Sequence, residues 1–276
     1  MQIKFTKMQA LNNDFIIINN INYNITFTKN IIQNLSNRYT GIGFDQLLIL
    51  DVPKKNNIDF HYRIFNANGN EVEQCGNGAR CLALYLKKKK LIKKNTIYIS
   101  TNNRILILKI MDNNLICVNM GKPLFLPKDI PFITDTIQEN YRILFKNKYI
   151  YFNIVSIGNP HCVITVKNIS TFPVNLIGSF IENHIVFPKK INVNFMEIIN
   201  NKHIKLRVFE RDIGETNACG SGACATVAVG IKKNILSNKV RVTLLGGDLN
   251  INWNGKNNNL FMFGTAHHVY DGVINI

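Results

Sequence analysis

The sequence predicts a mixed α/β (α+β) fold made of two similarly folded halves. Two stretches carry this prediction because they are versions of each other. The first is R-I-F-N-A-N-G-N-E-V-E-Q-C-G-N-G-A, from Arg63 to Ala79, and the second is R-V-F-E-R-D-I-G-E-T-N-A-C-G-S-G-A, from Arg207 to Ala223. The shared residues recur without a gap, so that Cys219 lies 144 positions after Cys75. A duplicated cysteine in a duplicated loop indicates chemistry that uses two thiols.

Three further blocks recur in the same order, which favours duplication over a chance match. A chain of 276 residues is long enough for two domains. We predict one domain of residues 1–119 with 265–276 and a second of residues 120–264, since Met120 to Pro123 is turn-like. The blocks pair Asn12–Ile18 with Gly158–Ile164 (Asn13 with Asn159), Gly41–Leu47 with Asn192–Ile198, and Thr96–Ser100 with Lys239–Thr243.

Each half is predicted to contain many strands and few helices. Runs rich in isoleucine, leucine and aromatic residues indicate strands, and apolar residues at helical spacing indicate helices. The predicted strands are Asp14–Asn19, Leu47–Asp51, Phe60–Phe65, Ile97–Thr101, Ile105–Met111, Tyr149–Ile157, Cys162–Val166, Ile204–Phe209 and Val240–Leu245. The predicted helices are Asn30–Arg38, Ala79–Lys88 and Ala223–Lys233, and a final strand at His268–Ile276 is assigned to the first half.

The composition narrows the function class. A net charge of +16 is compatible with nucleic-acid binding, but the lysines are scattered, which favours a solvated lysine-rich surface and no specific nucleic-acid partner. No apolar run is long enough for a membrane span, and the first residues do not resemble a secretory signal. We therefore expect a cytoplasmic protein with reduced cysteines. No C-x-x-C is present, so a zinc site is not expected.

The two cysteine loops are built for anion binding and thiol chemistry. Each loop is predicted to leave a strand, reach the cysteine and enter a helix that ends in lysines, which suit the negative end of the helix dipole. At a helix N-terminus the pKa of a cysteine falls from about 8.5 to roughly 3.5–7.5. The free N–H groups there bind anions, and the flanking glycines let a carboxylate approach the backbone.

Two thiols suit the inversion of one carbon centre. Such a reaction removes a proton from one face and delivers one to the other, so one cysteine acts as thiolate base and the other as thiol acid. No phosphate-binding, dinucleotide-binding, metal or cofactor motif is present. The alternative is that Cys75 and Cys219 are small buried residues in duplicated turns. The other four cysteines are interpreted as core residues: Cys81, Cys117, Cys162 and Cys224.

The chain resembles the diaminopimelate epimerases over essentially its full length. The segments that carry the resemblance are N-D-F, G-F-D-Q, F-N-A-N-G-N-E-V-E-Q-C-G-N-G-A-R, M-G, G-N-P-H-C-V, E-R-D-I-G-E-T-N-A-C-G-S-G-A and V-Y-D-G. The resemblance implies a cofactor-independent epimerase that interconverts LL- and meso-2,6-diaminopimelate in lysine and peptidoglycan precursor synthesis. It also implies two pseudo-symmetric domains with strands wrapped around a central helix, an active site in the interdomain cleft, and a homodimer.

The resemblance also implies roles for individual residues. Cys75 and Cys219 would be the acid–base pair, His161 and Glu210 would tune the thiols, and Tyr270 would lie at the dimer interface. Eleven residues would bind the substrate: Gly76, Asn77, Gly220 and Ser221 at the reacting carboxylate, Arg211 with Asn66, Asn159 and Asn192 at the distal carboxylate, Glu210 at an ammonium group, and Asn13 and Gln46 elsewhere in the site.

The chain departs from the family pattern at a few positions. Gln9, Ala10 and Asn12 replace the usual H-G-x-G, although Asn12 can still adopt a left-handed conformation. Asn68 replaces an aspartate. Asp212 replaces the glycine after Arg211, where an acid would compete with the substrate carboxylate.

Three alternatives stay open from the sequence. A proline racemase of the same fold would not need the distal pocket at Arg211, Asn66 and Asn192. A phenazine-biosynthesis-type isomerase would lack the thiol pair. A lysine-rich binding module would keep its function after both cysteines are replaced. The duplicated loops differ where Asn66 and Ala67 stand in place of Glu210 and Arg211, which is where substrate selection is expected.

Overall fold

The computed structural model describes residues 1–21, 23, 25–53, 55–72 and 75–276. The chain forms two compact units. The first consists of Met1–Asn119 and Phe263–Ile276, and the second of Met120–Met262. Both units consist mostly of strands with few helices, which confirms the predicted α/β class.

The first unit places two helices among its strands. A 3₁₀ turn at Asp112–Asn114 precedes its eighth strand. In chain order the elements are β1 (Gln2–Ala10), β2 (Asn13–Asn19), α1 (Lys29–Ser36), β3 (Gln46–Asp51), β4 (Phe60–Asn66), β5 (Glu71–Val72), α2 (Gly76–Lys88), β6 (Thr96–Ser100), β7 (Ile105–Ile110), β8 (Ile116–Gly121) and, at the end of the chain, β18 (His267–Asn275).

The second unit repeats this arrangement. It begins with a 3₁₀ turn at Pro127–Asp129. Its elements are β9 (Tyr141–Phe145), β10 (Lys148–Ser156), β11 (Pro160–Thr165), α3 (Val174–Glu182), β12 (Asn192–Asn200), β13 (His203–Glu210), β14 (Gly214–Thr216), α4 (Gly220–Lys232), β15 (Lys239–Leu244), β16 (Gly247–Asn252) and β17 (Leu260–Gly264).

Strand pairing is the same in both units. In the first, β1–β2 is antiparallel, β2–β3 parallel, β3–β4 and β4–β5 antiparallel, β4–β6 parallel and β6–β7 antiparallel. In the second, the strands β10 to β16 pair in the same order with the same directions. β18 adds to β1, and β9 adds to β10. The duplication inferred from sequence is therefore a duplication of topology.

One of the predicted block matches is wrong. In the first unit Phe15 pairs with Gln46, and in the second His161 pairs with Asn192. The counterpart of Asn192 is therefore Gln46, whereas the sequence match had assigned Gly41. Gly41 precedes β3 and lies outside any strand, so the similarity around its neighbouring phenylalanine was coincidental. The matches of Asn13 with Asn159 and of β6 with β15 agree with the strand register.

The helices that follow the cysteines are the most buried elements of their units. Every residue of α2 from Gly76 to Leu86 is buried, and so is every residue of α4 from Gly220 to Gly230. A helix that is enclosed on all sides needs apolar or small residues all round, which both sequences supply. The first packs against β1, β2, β3, β7 and β18, and the second against β10, β11, β12 and β16. Lysines follow in the last turn of each.

Two local features differ from or qualify the sequence predictions. The β1–β2 hairpin turns at Leu11 and Asn12, whose φ angles of 55° and 64° give the type I′ form that matches strand twist. Asn12 thus adopts the left-handed conformation expected of it, while Leu11 does so at a steric cost. Helix α3 (Val174–Glu182) was not predicted, although its buried residues recur at helical spacing: Val174, Ile177, Gly178, Ile181 and Glu182.

Candidate active site

Cys75 caps the buried helix of the first unit. Its extended backbone (φ −143°, ψ 112°) turns the chain into α2, and its sulfur accepts the backbone N–H of Gly78 at 3.3 Å. Gly76 is the first residue of the helix. Sulfur in this position receives both a hydrogen bond and the positive end of the helix dipole, and both favour a thiolate.

Side-chain amides are gathered around the same loop. Asn77 donates from Nδ2 to Oδ1 of Asn13 at 3.4 Å. Gln46 and Asn66 face each other across β3 and β4, and Gln46 Nε2 donates to Asn66 Oδ1 at 2.8 Å. Oε1 of Gln46 is buried and has no hydrogen-bond partner among the described residues. The first unit therefore joins four of the predicted substrate-binding side chains into two hydrogen-bonded pairs.

Cys219 occupies the equivalent position in the second unit. It caps α4, whose first residue is Gly220, and it is only 5% exposed. Its sulfur lies 3.5 Å from Oγ of Ser221, and Asn159 Nδ2 donates to that same oxygen at 3.2 Å. Asn159 and Ser221 are the counterparts of Asn13 and Asn77. Each unit thus links the start of a strand to the second residue after its cysteine.

Glu210 adds a carboxylate to the second site. Thr216 Oγ1 donates to Glu210 Oε1 at 2.6 Å. Burial raises the pKa of Glu210, although this hydrogen bond opposes the shift. Burial also raises the pKa of the Cys219 thiol well above its usual value, and the negative charge of Glu210 raises that pKa further. The expectation of a lowered pKa is therefore wrong for Cys219, because desolvation outweighs the helix N-terminus.

His161 is buried within the second unit. Its Nε2 lies 3.1 Å from Asn159 Oδ1, and its Nδ1 lies 3.2 Å from Nδ2 of Asn194. Burial lowers the pKa of His161 to about 3, so the ring is neutral at physiological pH. Asn194 was not singled out from the sequence, and its position two residues after Asn192 on a strand was the available signal.

The proposed clamp, Arg211, follows β13 in an exposed loop. Its backbone N–H donates to Asn192 Oδ1 at 3.1 Å, and Asn192 Nδ2 donates to the carbonyl of Pro160 at 2.9 Å. Nη1 of Arg211 lies 3.4 Å from the carbonyl oxygen of Lys189. Asn192 therefore fixes the backbone beside the guanidinium group, which adds a structural role to its predicted contact with substrate.

Asp212 has a partner other than Arg211. It adopts a φ of 62°, which explains why glycine suits this position, and its carboxylate pairs with Lys190. Its backbone N–H donates to the carboxylate of Glu182 at 2.5 Å. Because Lys190 engages the carboxylate, we expect little competition with a substrate carboxylate for Arg211.

The repeated arginine and glutamate of the loop motif form an ion pair in each unit. Arg63 contacts Glu71 at 3.1 Å, and Arg207 contacts Glu215 at 2.5 Å. Arg207 also donates to the carbonyl oxygens of Ile169 and Phe172. These pairs tie β4 to β5 and β13 to β14, so this part of the duplicated motif serves the fold of the loop.

The remaining predicted residues are Tyr270 and the four cysteines outside the cysteine loops. Tyr270 on β18 is 43% exposed and packs edge to face against Phe5. Cys81, Cys162 and Cys224 are fully buried as expected, but Cys117 is only half-buried. None of the six cysteines, all of them described, is in a disulfide.

The described part of the chain holds neither a cluster of metal-ligand side chains nor a helix able to span a membrane. No group of three histidine, cysteine, aspartate or glutamate side chains there is placed to hold a metal ion. None of its helices is long and apolar enough to cross a membrane.

Comparison with known proteins places the chain in a family. The family model for diaminopimelate epimerase matches residues 5–126 and 153–269. A diaminopimelate epimerase of Buchnera aphidicola subsp. Baizongia pistaciae (strain Bp) is 56% identical over 275 residues, which cover 99% of this chain and 96% of that protein. The chain belongs to the diaminopimelate epimerase family. A diaminopimelate epimerase of Blochmanniella floridana is 50% identical over 276 residues, covering 99% of this chain and 100% of that protein. The predicted family is thus confirmed, and the chain is an isomerase.

More distant solved structures share the fold of this diaminopimelate epimerase family member. A hydroxyproline epimerase from Agrobacterium vitis superposes with a TM-score of 0.74 at 10% identity, covering 99% of this chain and 92% of that one. A PhzF-family phenazine biosynthesis protein from Bacillus anthracis gives a TM-score of 0.69 at 15% identity, with 100% of both chains covered. At such low identity these likenesses concern the fold alone.

Proposed function

We propose that this member of the diaminopimelate epimerase family interconverts LL- and meso-2,6-diaminopimelate, with two cysteines as acid and base and without a cofactor. One observation carries the mechanism. Each unit of a duplicated topology places a cysteine as the cap of its buried helix, with glycine at the first and third positions of that helix. The names and high identity of the relatives support the substrate and its place in lysine biosynthesis.

The chemistry requires one group on each face of the α-carbon. A thiolate removes the α-proton, and the opposite thiol delivers its own proton, so that the sulfur atoms exchange protonation states in each turnover. The intermediate charge is stabilised by the N–H groups of Gly76 and Asn77 and of Gly220 and Ser221, which would hold the reacting carboxylate.

The surroundings of the two sulfurs support different resting states. Cys219 is buried beside the Glu210 carboxylate, which favours the protonated thiol. Cys75 is more exposed, and its sulfur accepts a backbone N–H at the start of α2. In the resting enzyme Cys75 is therefore the base and Cys219 the acid, and the reverse reaction begins once protons have been exchanged. Glu210 tunes Cys219 in this scheme.

The distal end of the substrate is recognised by residues that differ between the two loops. Arg211 pairs with the distal carboxylate, since a guanidinium group binds carboxylates in a bidentate manner. Asn66, Asn159 and Asn192 add neutral hydrogen-bonding groups, and Glu210 receives an ammonium group. Asn13 and Gln46 complete the contacts, the latter through its carbonyl oxygen, which has no hydrogen-bond partner among the described residues.

The test is isotope exchange. The reduced protein is incubated with LL-diaminopimelate in D₂O, and both deuterium at the α-carbon and the meso product are measured. Cys75→Ala and Cys219→Ala should each lose most epimerisation, whereas Cys117→Ala, a half-buried cysteine outside the loops, should retain it. Proline serves as a substrate that lacks a second charged end. Absence of exchange with diaminopimelate, or exchange with proline alone, would contradict the proposal.

We also propose a homodimer that uses β18. This strand exposes the apolar side chains of Val269, Tyr270 and Val273, and exposed apolar side chains that lie close together are typical of interaction surfaces. Light scattering after size exclusion should give twice the chain mass, and Tyr270→Asp should lower it. Tyr98→Asp, at a similarly exposed tyrosine on β6, is the control that should leave the mass unchanged. The need for reduced thiols supports a cytoplasmic location.

A further inference from the structure

The second unit buries a polar pair where the first unit buries an apolar one. By the register described above, Phe15 and Leu48 of the first unit correspond to His161 and Asn194 of the second. All four side chains are fully buried. An imidazole and an amide cost free energy in such a place unless hydrogen bonds offset their desolvation, and the first unit shows that the fold accepts apolar residues there. The polar pair therefore calls for a functional explanation.

The orientation of the pair is fixed by a backbone carbonyl. Asn194 Nδ2 lies 2.8 Å from the carbonyl oxygen of Cys162, which can only accept, so the NH₂ end of the amide is identified. Its second hydrogen points at Nδ1 of His161, 3.2 Å away. Nδ1 is thus the acceptor, and the neutral ring carries its proton on Nε2. That proton is donated to Asn159 Oδ1 at 3.1 Å.

The hydrogen bonds keep the same donor-to-acceptor direction as far as the sulfur of Cys219. Since Oδ1 of Asn159 faces His161, its Nδ2 faces Ser221 and donates to Oγ at 3.2 Å. With that oxygen acting as acceptor, the hydroxyl hydrogen of Ser221 is available to Cys219, whose Sγ lies 3.5 Å away. Every hydrogen bond in this series, from Asn194 to Cys219, is donated in the direction of the sulfur.

We propose that Asn194 and His161 are positioning residues of an oriented hydrogen-bond chain that aims the Ser221 hydroxyl at Cys219 and stabilises its thiolate after proton delivery. The inference rests on the proposed function, because only an acid–base thiol needs a group that prefers its deprotonated form. In this hydrogen-bond chain His161 stays neutral and takes no proton, and its role is to fix the orientation of the Asn159 amide. Its pKa of about 3, lowered by burial, agrees with that role.

Two charged side chains near the hydrogen-bond chain change the pKa values of its members. Glu210, on β13, faces Cys219 and disfavours the thiolate through its negative charge. Arg211 lowers the pKa of His161 through its positive charge, in addition to the larger effect of burial. The Ser221 hydroxyl therefore opposes Glu210 at the sulfur, which keeps the thiolate accessible during turnover.

Gly222 of the second cysteine motif leaves room for the side-chain amide of Asn194. A Cβ at Gly222 would lie 2.4 Å from Oδ1 of Asn194, closer than real Cβ atoms approach. In the first unit a Cβ at Gly78 would first meet a methyl group of Leu48 at 3.2 Å. The second glycine of the G-S-G segment is thus needed because an amide is packed against it.

The test compares His161→Phe, which installs the residue of the first unit, with His161→Gln. A glutamine can accept from Asn194 through its oxygen and donate to Asn159 through its nitrogen, so it preserves the direction of the chain without titrating. The readout is the rate at which iodoacetamide alkylates Cys219 between pH 7 and 9.5, followed by peptide mass spectrometry. Alkylation of Cys75 in the same samples is the internal control.

We expect His161→Phe to slow alkylation of Cys219 about three- to tenfold, since losing a hydrogen bond to a charged group raises the thiol pKa while nucleophilicity partly compensates. His161→Gln should stay within about twofold of the wild-type rate. Ser221→Ala should slow Cys219 as much as His161→Phe, and combining the two should add nothing further, because both interrupt one chain. Cys75 should be unaffected throughout.

The inference would be overturned if Cys219 were alkylated equally fast in His161→Phe and wild type, or if His161→Gln slowed its alkylation as His161→Phe does. It would also be overturned if the effects of His161→Phe and Ser221→Ala were additive. If His161→Phe does not fold by circular dichroism, the pair His161→Phe with Asn194→Leu, the combination found in the first unit, replaces it. The alkylation rates do not depend on turnover. A failure to epimerise diaminopimelate would therefore refute the proposed function separately from the hydrogen-bond chain.

Discussion

Replacing Gly222 with alanine tests whether the amide of Asn194 is held as firmly as its contacts indicate. Gly222 lies in the first turn of α4, and the added methyl group would begin 2.4 Å from Asn194 Oδ1. The oxygen cannot simply rotate away. The other end of the amide donates to the carbonyl of Cys162 and to His161, and the side chain is fully buried.

The expected loss of stability follows from these contacts. Separating the methyl group and the oxygen to at least 3.0 Å requires backbone or side-chain movement in a packed interior. Overpacking of this kind costs about 1–3 kcal/mol, and loosening buried hydrogen bonds adds about 1–3 kcal/mol. Alanine recovers up to about 1 kcal/mol of helix propensity. The net destabilisation of Gly222→Ala is therefore about 3 kcal/mol.

Gly78→Ala is the matched control. It lies at the equivalent position of α2, and the nearest neighbours of its Cβ would be side-chain atoms of Leu48, at 3.2 Å, and Phe15, at 3.4 Å. A small rearrangement of that leucine offsets the gain in helix propensity, so the net change should be within about 1 kcal/mol of zero.

The assay uses the single tryptophan of the chain. Trp253 is buried in the second unit, so its fluorescence during urea unfolding reports on that unit, while circular dichroism reports on all the secondary structure. Gly222→Ala should lower the midpoint of the fluorescence transition, and Gly78→Ala should leave it in place. Equal midpoints for the two variants would refute the reasoning, because the closeness of the Asn194 oxygen would then have no energetic consequence.

Three further predictions concern stability. Glu215→Gln should lower the free energy of unfolding by about 2–3 kcal/mol, because it leaves the partly buried Arg207 without its carboxylate partner. Glu71→Gln, in the more exposed pair with Arg63, should lower it by less than about 1 kcal/mol. Both values can be measured by urea unfolding, and equal losses would contradict the prediction. Leu11→Gly should raise the free energy of unfolding by about 0.5–1 kcal/mol, because Leu11 has a positive φ, and unchanged or lower stability would count against it. In the folded protein His161 stays neutral down to about pH 3, whereas in the unfolded chain it binds a proton near pH 6.5, so the free energy of unfolding falls by about 1.4 kcal/mol per pH unit below pH 6.5. His161→Phe should therefore remove about 2 kcal/mol of the difference in the free energy of unfolding between pH 7 and pH 5. An unchanged pH dependence would show that the ring is not buried in its neutral form.

The duplicated fold was readable from sequence because local patterns determine it. Strands such as β3 and β7 are dense runs of isoleucine and leucine, and the cysteine motif fixes where α2 and α4 begin. Helix α3 was missed although its buried residues recur at helical spacing, because it has only nine residues and no side-chain cap marks its start. The match of Gly41 with Asn192 failed because register depends on which residues hydrogen-bond across strands, and a shared phenylalanine does not reveal this.

The site was only partly predictable, for a different physical reason. The duplicated motif predicts Cys75 and Cys219 as reactive groups, and the family resemblance predicts Arg211 as a charge-binding group. The balance between desolvation and the helix N-terminus at Cys219 depends on how deeply the sulfur is buried, which no spacing encodes. The importance of Asn194 depends on the hydrogen bonds of a single amide, and these exist only once β11, β12 and α4 are packed together.

The two units show how a duplicated scaffold gives its two cysteines unequal surroundings. Both keep the link between a strand and the second residue after the cysteine, through Asn13 in one unit and Asn159 in the other. The second unit alone replaces a buried apolar pair with His161 and Asn194 and adds a carboxylate at Glu210. The carboxylate favours the thiol form of its cysteine, and the oriented hydroxyl favours the thiolate. A sulfur under both influences can release its proton and take one back, as the proposed two-cysteine mechanism requires in every turnover.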